Sequence, residues 1–178
     1  MRIISGNYKG RAITPNKSFN ARPTTDFAKE SLFNILNNNF DYKTLDVLDL
    51  FTGTGSISYE FASRGANFVT CVDISYKNIE FIRKTAEDLQ LNIKPVKANV
   101  FGFLNYCKKT FNIIFADPPY ELNKIDTLPN LILEKKLLKN NGWLIVEHSA
   151  KTDLSSCIGF FDKRVYGKVN FSFIKYSE

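Results

Sequence analysis

From Val47 onward, short apolar runs rich in β-branched and aromatic residues alternate with segments of helical periodicity. That order leaves little choice of architecture, because strand, crossing helix and strand again build a mostly parallel sheet covered by helices. Val47 to Phe51 reads as strand, Ser56 to Arg64 as helix, Asn67 to Asp73 as strand and Ser75 to Leu91 as helix. In the last of these, Ile79, Ile82, Ala86 and Leu89 recur at helical spacing with charges between them, the pattern of a helix lying on a sheet. A strand near Ile93 to Ala98, a short helix over Phe101 to Cys107, the apolar run Phe111 to Ala116, a helix near Leu128 to Leu138 and a strand Trp143 to Glu147 continue the series. Gly142 is expected to close the last helix-to-strand turn. Lys163 to Tyr166 and Val169 to Tyr176 alternate in polarity around Gly167, which predicts an antiparallel hairpin at the end of an α/β fold.

The segment before this series has a different character. Arg2-Ile3-Ile4 and Arg11-Ala12-Ile13-Thr14 flank a Gly6 to Gly10 turn, which suggests a small hairpin. A helix is expected from about Asp26, capped by Thr25, with Ala28, Leu32, Ile35 and Leu36 as its apolar stripe. Residues 1–40 thus read as a basic hairpin-and-helix appendage and 41–178 as one compact unit. Charge supports the division: the excess is +4 over residues 1–30, zero over 31–150 and +2 over 151–178, and no acid precedes Asp26. Such a stretch attracts phosphates, although a solvated basic edge serves solubility equally. A chain of 178 residues with 44% hydrophobic content suits a single core. Its apolar runs fall short of a bilayer span and its N-terminus lacks a signal-peptide pattern, so a cytoplasmic protein is expected. Three widely spaced cysteines, Cys71, Cys107 and Cys157, predict reduced thiols and no metal, with Cys71 and Cys107 buried.

Two motifs carry chemistry. The first strand runs into Asp49-Leu50-Phe51-Thr52-Gly53-Thr54-Gly55, a glycine-rich loop that lets backbone approach a ligand closely. A dinucleotide site would want glycine where Ser58 stands, and a phosphate-binding P-loop would want Gly-Lys-Ser/Thr, absent here. Asp73, ending the second strand, suits a carboxylate that accepts two ribose hydroxyls. S-adenosylmethionine has that ribose and no phosphate.

The second motif is Asp117-Pro118-Pro119-Tyr120, delivered to the carboxyl end of its strand, where ligands bind in open α/β sheets. Two prolines stiffen the turn and leave carbonyls without local partners. A carboxylate and a carbonyl together accept both hydrogens of an exocyclic amino group, and Tyr120 offers a flat face to the base. The same residues also serve merely to stop a strand. His148, the sole histidine, and Glu147 end another strand near the same place and stay open between structure and chemistry.

Together these segments resemble the RsmD-type 16S rRNA guanine-N2 methyltransferases over nearly the whole length. The likeness takes in Met1 to Arg11, Arg22-Pro-Thr-Thr-Asp26, Lys29 to Leu36, the Asp49 to Gly55 loop and Asp117 to Tyr120. It implies a Rossmann-like class I methyltransferase fold, S-adenosylmethionine as donor, and a guanine in a hairpin loop of 16S rRNA as substrate. The implied partner is the assembled or assembling small ribosomal subunit, met by a monomer. Expected cofactor residues are Asp49, Phe51, Thr52, Gly53, Gly55, Asp73, Ile74, Asn99 and Val100; expected RNA contacts are Arg2, Lys9, Arg11 and Arg22. Asn99 stands where an acid usually holds the adenine amino group, Phe27 where a basic residue is frequent, and Ser58 where glycine is common. Rival readings are an N6-adenine DNA or RNA methyltransferase, for which no target-recognition insertion is visible, and a non-catalytic nucleic-acid-binding relative.

Overall fold

The computed structural model describes residues 1–15, 25–119, 122 and 125–175. After an N-terminal loop pair come α1 (Asp26–Asn37), β1 (Asp46–Leu50), α2 (Ser56–Ser63), β2 (Phe68–Asp73), α3 (Tyr76–Asp88), β3 (Ile93–Lys97) and α4 (Val100–Tyr106). Then follow β4 (Phe111–Ala116), α5 (Thr127–Glu134), β5 (Leu138–His148), β6 (Phe160–Tyr166) and β7 (Val169–Lys175). One seven-stranded sheet has the order β3-β2-β1-β4-β5-β7-β6, parallel up to β5 and antiparallel across β7 and β6. This is the expected α/β fold with its terminal hairpin. The order reverses between β1 and β4, which opens a crevice at their carboxyl ends.

The central strands are apolar on both faces because both faces are covered. Val47, Ile113, Phe115 and Ile145 pack with α1 and α2 residues such as Leu32, Phe33 and Phe61. Leu48, Leu50, Ile114, Leu144 and Val146 face the opposite way, toward Val100, Leu104, Leu128 and Ile132 of α4 and α5. The α1 cap is as expected, with the Ala28 amide donating to Thr25 Oγ1 at 3.2 Å. No helix among the described residues is long and apolar enough to cross a membrane.

Three expectations need correction. The fifth helix stops at Glu134, since Lys136 adopts a left-handed φ of 51° and Leu138 already pairs with Phe111. Gly142 lies inside β5, where the register shifts opposite Phe111 to Ile113. A Cβ there would come within 2.7 Å of the Lys139 carbonyl and 3.0 Å of the Asn112 carbonyl, so glycine permits this bulge. Cys107 is half-buried, whereas Cys71 is buried as expected.

The N-terminal hairpin closes through a single antiparallel bridge, Arg2 to Ala12. Ile3 and Ile13 are buried with Tyr59 and Ile82, and Gly6, at φ +83°, sits so tightly on α2 that a Cβ would meet the Ser63 carbonyl at 1.9 Å. The anchor is Glu60, which is 0% exposed. Its carboxylate accepts the Ile4 and Ser5 amides at 2.8 and 3.0 Å and Arg64 Nε at 2.8 Å, with Lys29 Nζ at 3.9 Å. Buried Lys29 in turn donates to the Arg2 carbonyl at 2.7 Å and Ser56 Oγ at 3.2 Å. Burial pulls its pKa below the ordinary lysine value, and the Glu60 charge pushes back.

Removing one partner of a buried pair strands the other, a loss of about 3 to 5 kcal/mol. Glu60→Ala is therefore expected to lower stability to urea by about that amount and to expose residues 1–15 to limited proteolysis. A variant as stable and protease-resistant as the parent would show that Glu60 is not the anchor.

Candidate active site

β1 ends at Leu50, and the chain turns through Phe51, Gly53 and Gly55, all left-handed with φ of 58°, 54° and 86°. For Phe51 that conformation costs about 1 to 3 kcal/mol and is held by its surroundings. The Thr52 amide donates to the Val72 carbonyl at 3.1 Å and the Gly53 amide to Asp73 Oδ2 at 2.9 Å, tying the loop to β2. Below it, buried Asp49 receives hydrogen bonds at Oδ2 from Thr52 Oγ1 at 2.6 Å and Ser58 Oγ at 2.5 Å. The serine at 58 thus braces the loop from beneath, a service glycine has no atoms for. Burial pushes the Asp49 carboxyl up to about 6, against the pull of the two hydroxyls.

The loop borders a cavity of about 580 Å³ at the carboxyl ends of the parallel strands, a size that suits a small ligand. Asp73 lines it, with Oδ1 accepting from the Ser75 amide at 2.8 Å and Asn78 Nδ2 at 3.2 Å. A carboxylate has about four acceptor positions, so with the Gly53 bond in place one remains for a ribose hydroxyl rather than two. Ile74, Ala98, Asn99 and Val100 continue the wall. Asn99 caps α4 by accepting the Gly102 amide at 3.1 Å.

Across the crevice Asp117 follows β4, its amide donating to the Leu50 carbonyl at 3.3 Å. Pro118 and Pro119 line the cavity beside it. The Pro119 carbonyl accepts the Leu122 amide at 2.9 Å, while the Pro118 carbonyl has no hydrogen bond within the described residues. Desolvation raises the Asp117 pKa well above the ordinary carboxylate value, and the neighbouring Glu147 and Asp49 raise it further.

The pattern of the family described as Conserved hypothetical protein 95 matches residues 1–175. The chain belongs to this family. It is 35% identical over 148 residues to Ribosomal RNA small subunit methyltransferase D of Buchnera aphidicola subsp. Baizongia pistaciae, covering 83% of this chain and 75% of that one. To YlbH of Bacillus subtilis, a candidate rRNA methyltransferase, it is 34% identical over 164 residues, 89% of this chain and 88% of the relative. Among solved structures it is similar to yhhF of Escherichia coli, a candidate methyltransferase, with a TM-score of 0.87, 26% identity, and coverage of 99% and 98%. The resemblance to RsmD-type enzymes read from the motifs therefore holds.

Of the residues expected at the site, Asp49, Phe51, Thr52, Gly53, Asp73, Ile74, Asn99, Val100, Asp117, Pro118 and Pro119 meet around this one cavity. Gly55 does not line it. Its missing side chain makes room for Ile82 Cγ1 and the Tyr59 ring, which a Cβ would approach to 3.0 and 3.1 Å. Tyr120 and Arg22 lie outside the described residues. Arg2, Lys9 and Arg11 are exposed on the N-terminal hairpin and do not line the cavity. His148 is buried behind it, its ring nitrogens 2.8 Å from the Ser149 carbonyl and Ser172 Oγ.

Among the lining residues that the motifs did not single out are Thr25 and Lys168, and Glu147, left open between structure and chemistry, lines the cavity as well. Glu147 carries the signal that Asp73 and Asp117 carry, an acid at the end of an apolar strand. Lys168 has no such signal, because only the β6–β7 hairpin brings it back over the crevice. The lining suits a nucleoside without phosphate: the Asp73 carboxylate can accept a ribose hydroxyl, Ile74 and Val100 are apolar, and an exposed lysine is the only cation among the described lining residues.

Asp49 has a folded pKa above its unfolded value, so its ionisation weakens the fold as pH rises through about 6. Compared with Asp49→Asn, which keeps an oxygen for both hydroxyls, the wild type should gain about 1 kcal/mol of relative stability as pH falls from about 7.5 to about 5. Urea unfolding at the two pH values checks this, and an opposite trend would refute the assignment.

Proposed function

We propose that this protein transfers a methyl group from S-adenosylmethionine to the exocyclic N2 of a guanine in 16S rRNA. The observation that carries the reading is the pairing of the Asp117 carboxylate with the Pro118 carbonyl on the cavity wall, facing the glycine loop and Asp73. The name of the Buchnera relative, a small-subunit rRNA methyltransferase, supports it.

S-adenosylmethionine, when bound, supplies an electrophilic methyl group whose sulfur keeps the bonding pair as N2 gains the carbon and loses one proton. Gly53, Thr52, Asp73, Ile74, Asn99 and Val100 would hold the donor, with Asp73 able to accept a ribose hydroxyl, Ile74 and Val100 offering apolar contact to the adenine and Asn99 a side-chain carbonyl to its amino group. The N2 lone pair of guanine is delocalised into the ring. By accepting both N2 hydrogens, Asp117 and the Pro118 carbonyl favour a pyramidal nitrogen with its lone pair directed at the methyl group. Asp117, as an acceptor of an N2 hydrogen, is also the nearest group to the proton that leaves.

A base inside a duplex is out of reach, so the guanine is unstacked, with Tyr120 as its stacking partner. Arg2, Lys9, Arg11 and Arg22 hold the rRNA backbone, which assigns residues 1–40 to RNA grip and 41–178 to methyl transfer. The target is the small subunit, assembled or assembling, reached by a cytoplasmic monomer.

Asp117→Ala is expected to reduce methylation of small-subunit rRNA, followed by nucleoside mass spectrometry for N2-methylguanosine, by about 100-fold or more. Binding of S-adenosylmethionine, measured by calorimetry, should survive; normal turnover would sink the mechanism. Lys9→Gln combined with Arg11→Gln should lower the slope of log affinity against log salt by about one per charge removed. An unchanged slope would move the RNA contact elsewhere.

A further inference from the structure

Glu147 is 3% exposed, yet it lines the same cavity as Asp117. β4 and β5 run parallel with Ala116 opposite Val146, so the next residue on each strand, Asp117 and Glu147, stands beside the other at the strand ends. In-register residues of parallel strands project from the same face of the sheet. The electrostatic influence of Glu147 on Asp117 agrees with this closeness. Two neighbouring carboxyl groups on a cavity wall present acceptor oxygens to the hydrogen-bond donors of any base edge that enters.

Guanine brings such donors in the right order. Its N2 carries two hydrogens, and N1–H lies next to them on the same edge; in adenine the atom next to the amino-bearing carbon is N1 with a lone pair and no hydrogen. Asp117 and the Pro118 carbonyl account for the two N2 hydrogens. We propose that Glu147 selects guanine by accepting its N1–H, an inference that rests on the methyl transfer to guanine N2 argued above. Against adenine, or any purine with a bare N1, the carboxylate oxygen turned to the base edge meets a lone pair instead of a hydrogen, and N1 gains no donor. Asp117 thus serves the reaction at N2, and Glu147 decides which amino-bearing base is presented to it.

The test uses small-subunit rRNA ligated from transcripts and a synthetic segment carrying guanine or 2-aminopurine at the position where mass spectrometry finds the methyl group. It is assayed both as naked RNA and assembled into small subunits. 2-Aminopurine keeps the exocyclic amino group but has a bare N1. The wild type should favour guanine by about 100-fold or more in kcat/KM. Glu147→Gln, whose amide can donate to N1, should bring the two bases within about tenfold of each other, mainly by losing activity on guanine. Donor binding by calorimetry and the melting temperature report whether that variant is folded. Should it not fold, Glu147→Asp carries the test, with a guanine preference that is reduced and not abolished. A wild type indifferent to the two bases, or a folded Glu147→Gln with the wild-type preference, overturns the proposal. Failure of the wild type to methylate guanine in either form of the rRNA refutes the underlying function instead.

Discussion

The buried carboxylate of Glu60 is the point on which the rest of this structure depends. A charge that is 0% exposed must find its full set of donors inside the protein. It takes them from three places: amides of the N-terminal hairpin, Arg64 at the end of α2, and Lys29 of α1. Lys29 extends the chain of contacts to Ser56, which lines the cavity. The basic hairpin and the start of α2, which follows the glycine loop, are thereby parts of one electrostatic assembly. The hairpin holds its position on α2 although a single bridge closes it.

Much of this was legible in the sequence because the governing interactions are local. Apolar periodicity foretold the helices and strands, Thr25 announced α1, and Asp49 to Gly55 announced the turn. Where local pattern and tertiary pairing compete, the sequence misleads. Leu137 and Leu138 continue the helical spacing of α5, but Leu138 pairs with Phe111 and starts β5. Gly142 looks like a turn and is a bulge, visible only once β4 lies alongside. Ser58 looks like a lost glycine and is a brace for Asp49. That Glu147 ends a strand near Asp117 was legible; that β4 and β5 are direct neighbours with Ala116 opposite Val146 follows from strand order, which no local stretch encodes.

The site also inverts the character of its surroundings. A chain of net charge +6 has a cavity walled by Asp49, Asp73, Asp117 and Glu147. Positive charge outside attracts the sugar-phosphate backbone, while acids inside repel it. A nucleic acid meeting this surface finds favourable terms only with its phosphates left outside and a hydrogen-rich base edge inserted.

The reversal of direction in the C-terminal hairpin has a consequence for how the site comes into being. Because β7 runs antiparallel to β5, Lys168 and Val169 return to the wall that Thr25 opens. The cavity is therefore closed by residues far apart in the chain, through contacts whose loop-closure cost exceeds that of local ones. During synthesis, a nascent chain that already displays Asp117 still lacks this wall. The cavity is completed only when Lys168 and Val169 have joined the fold.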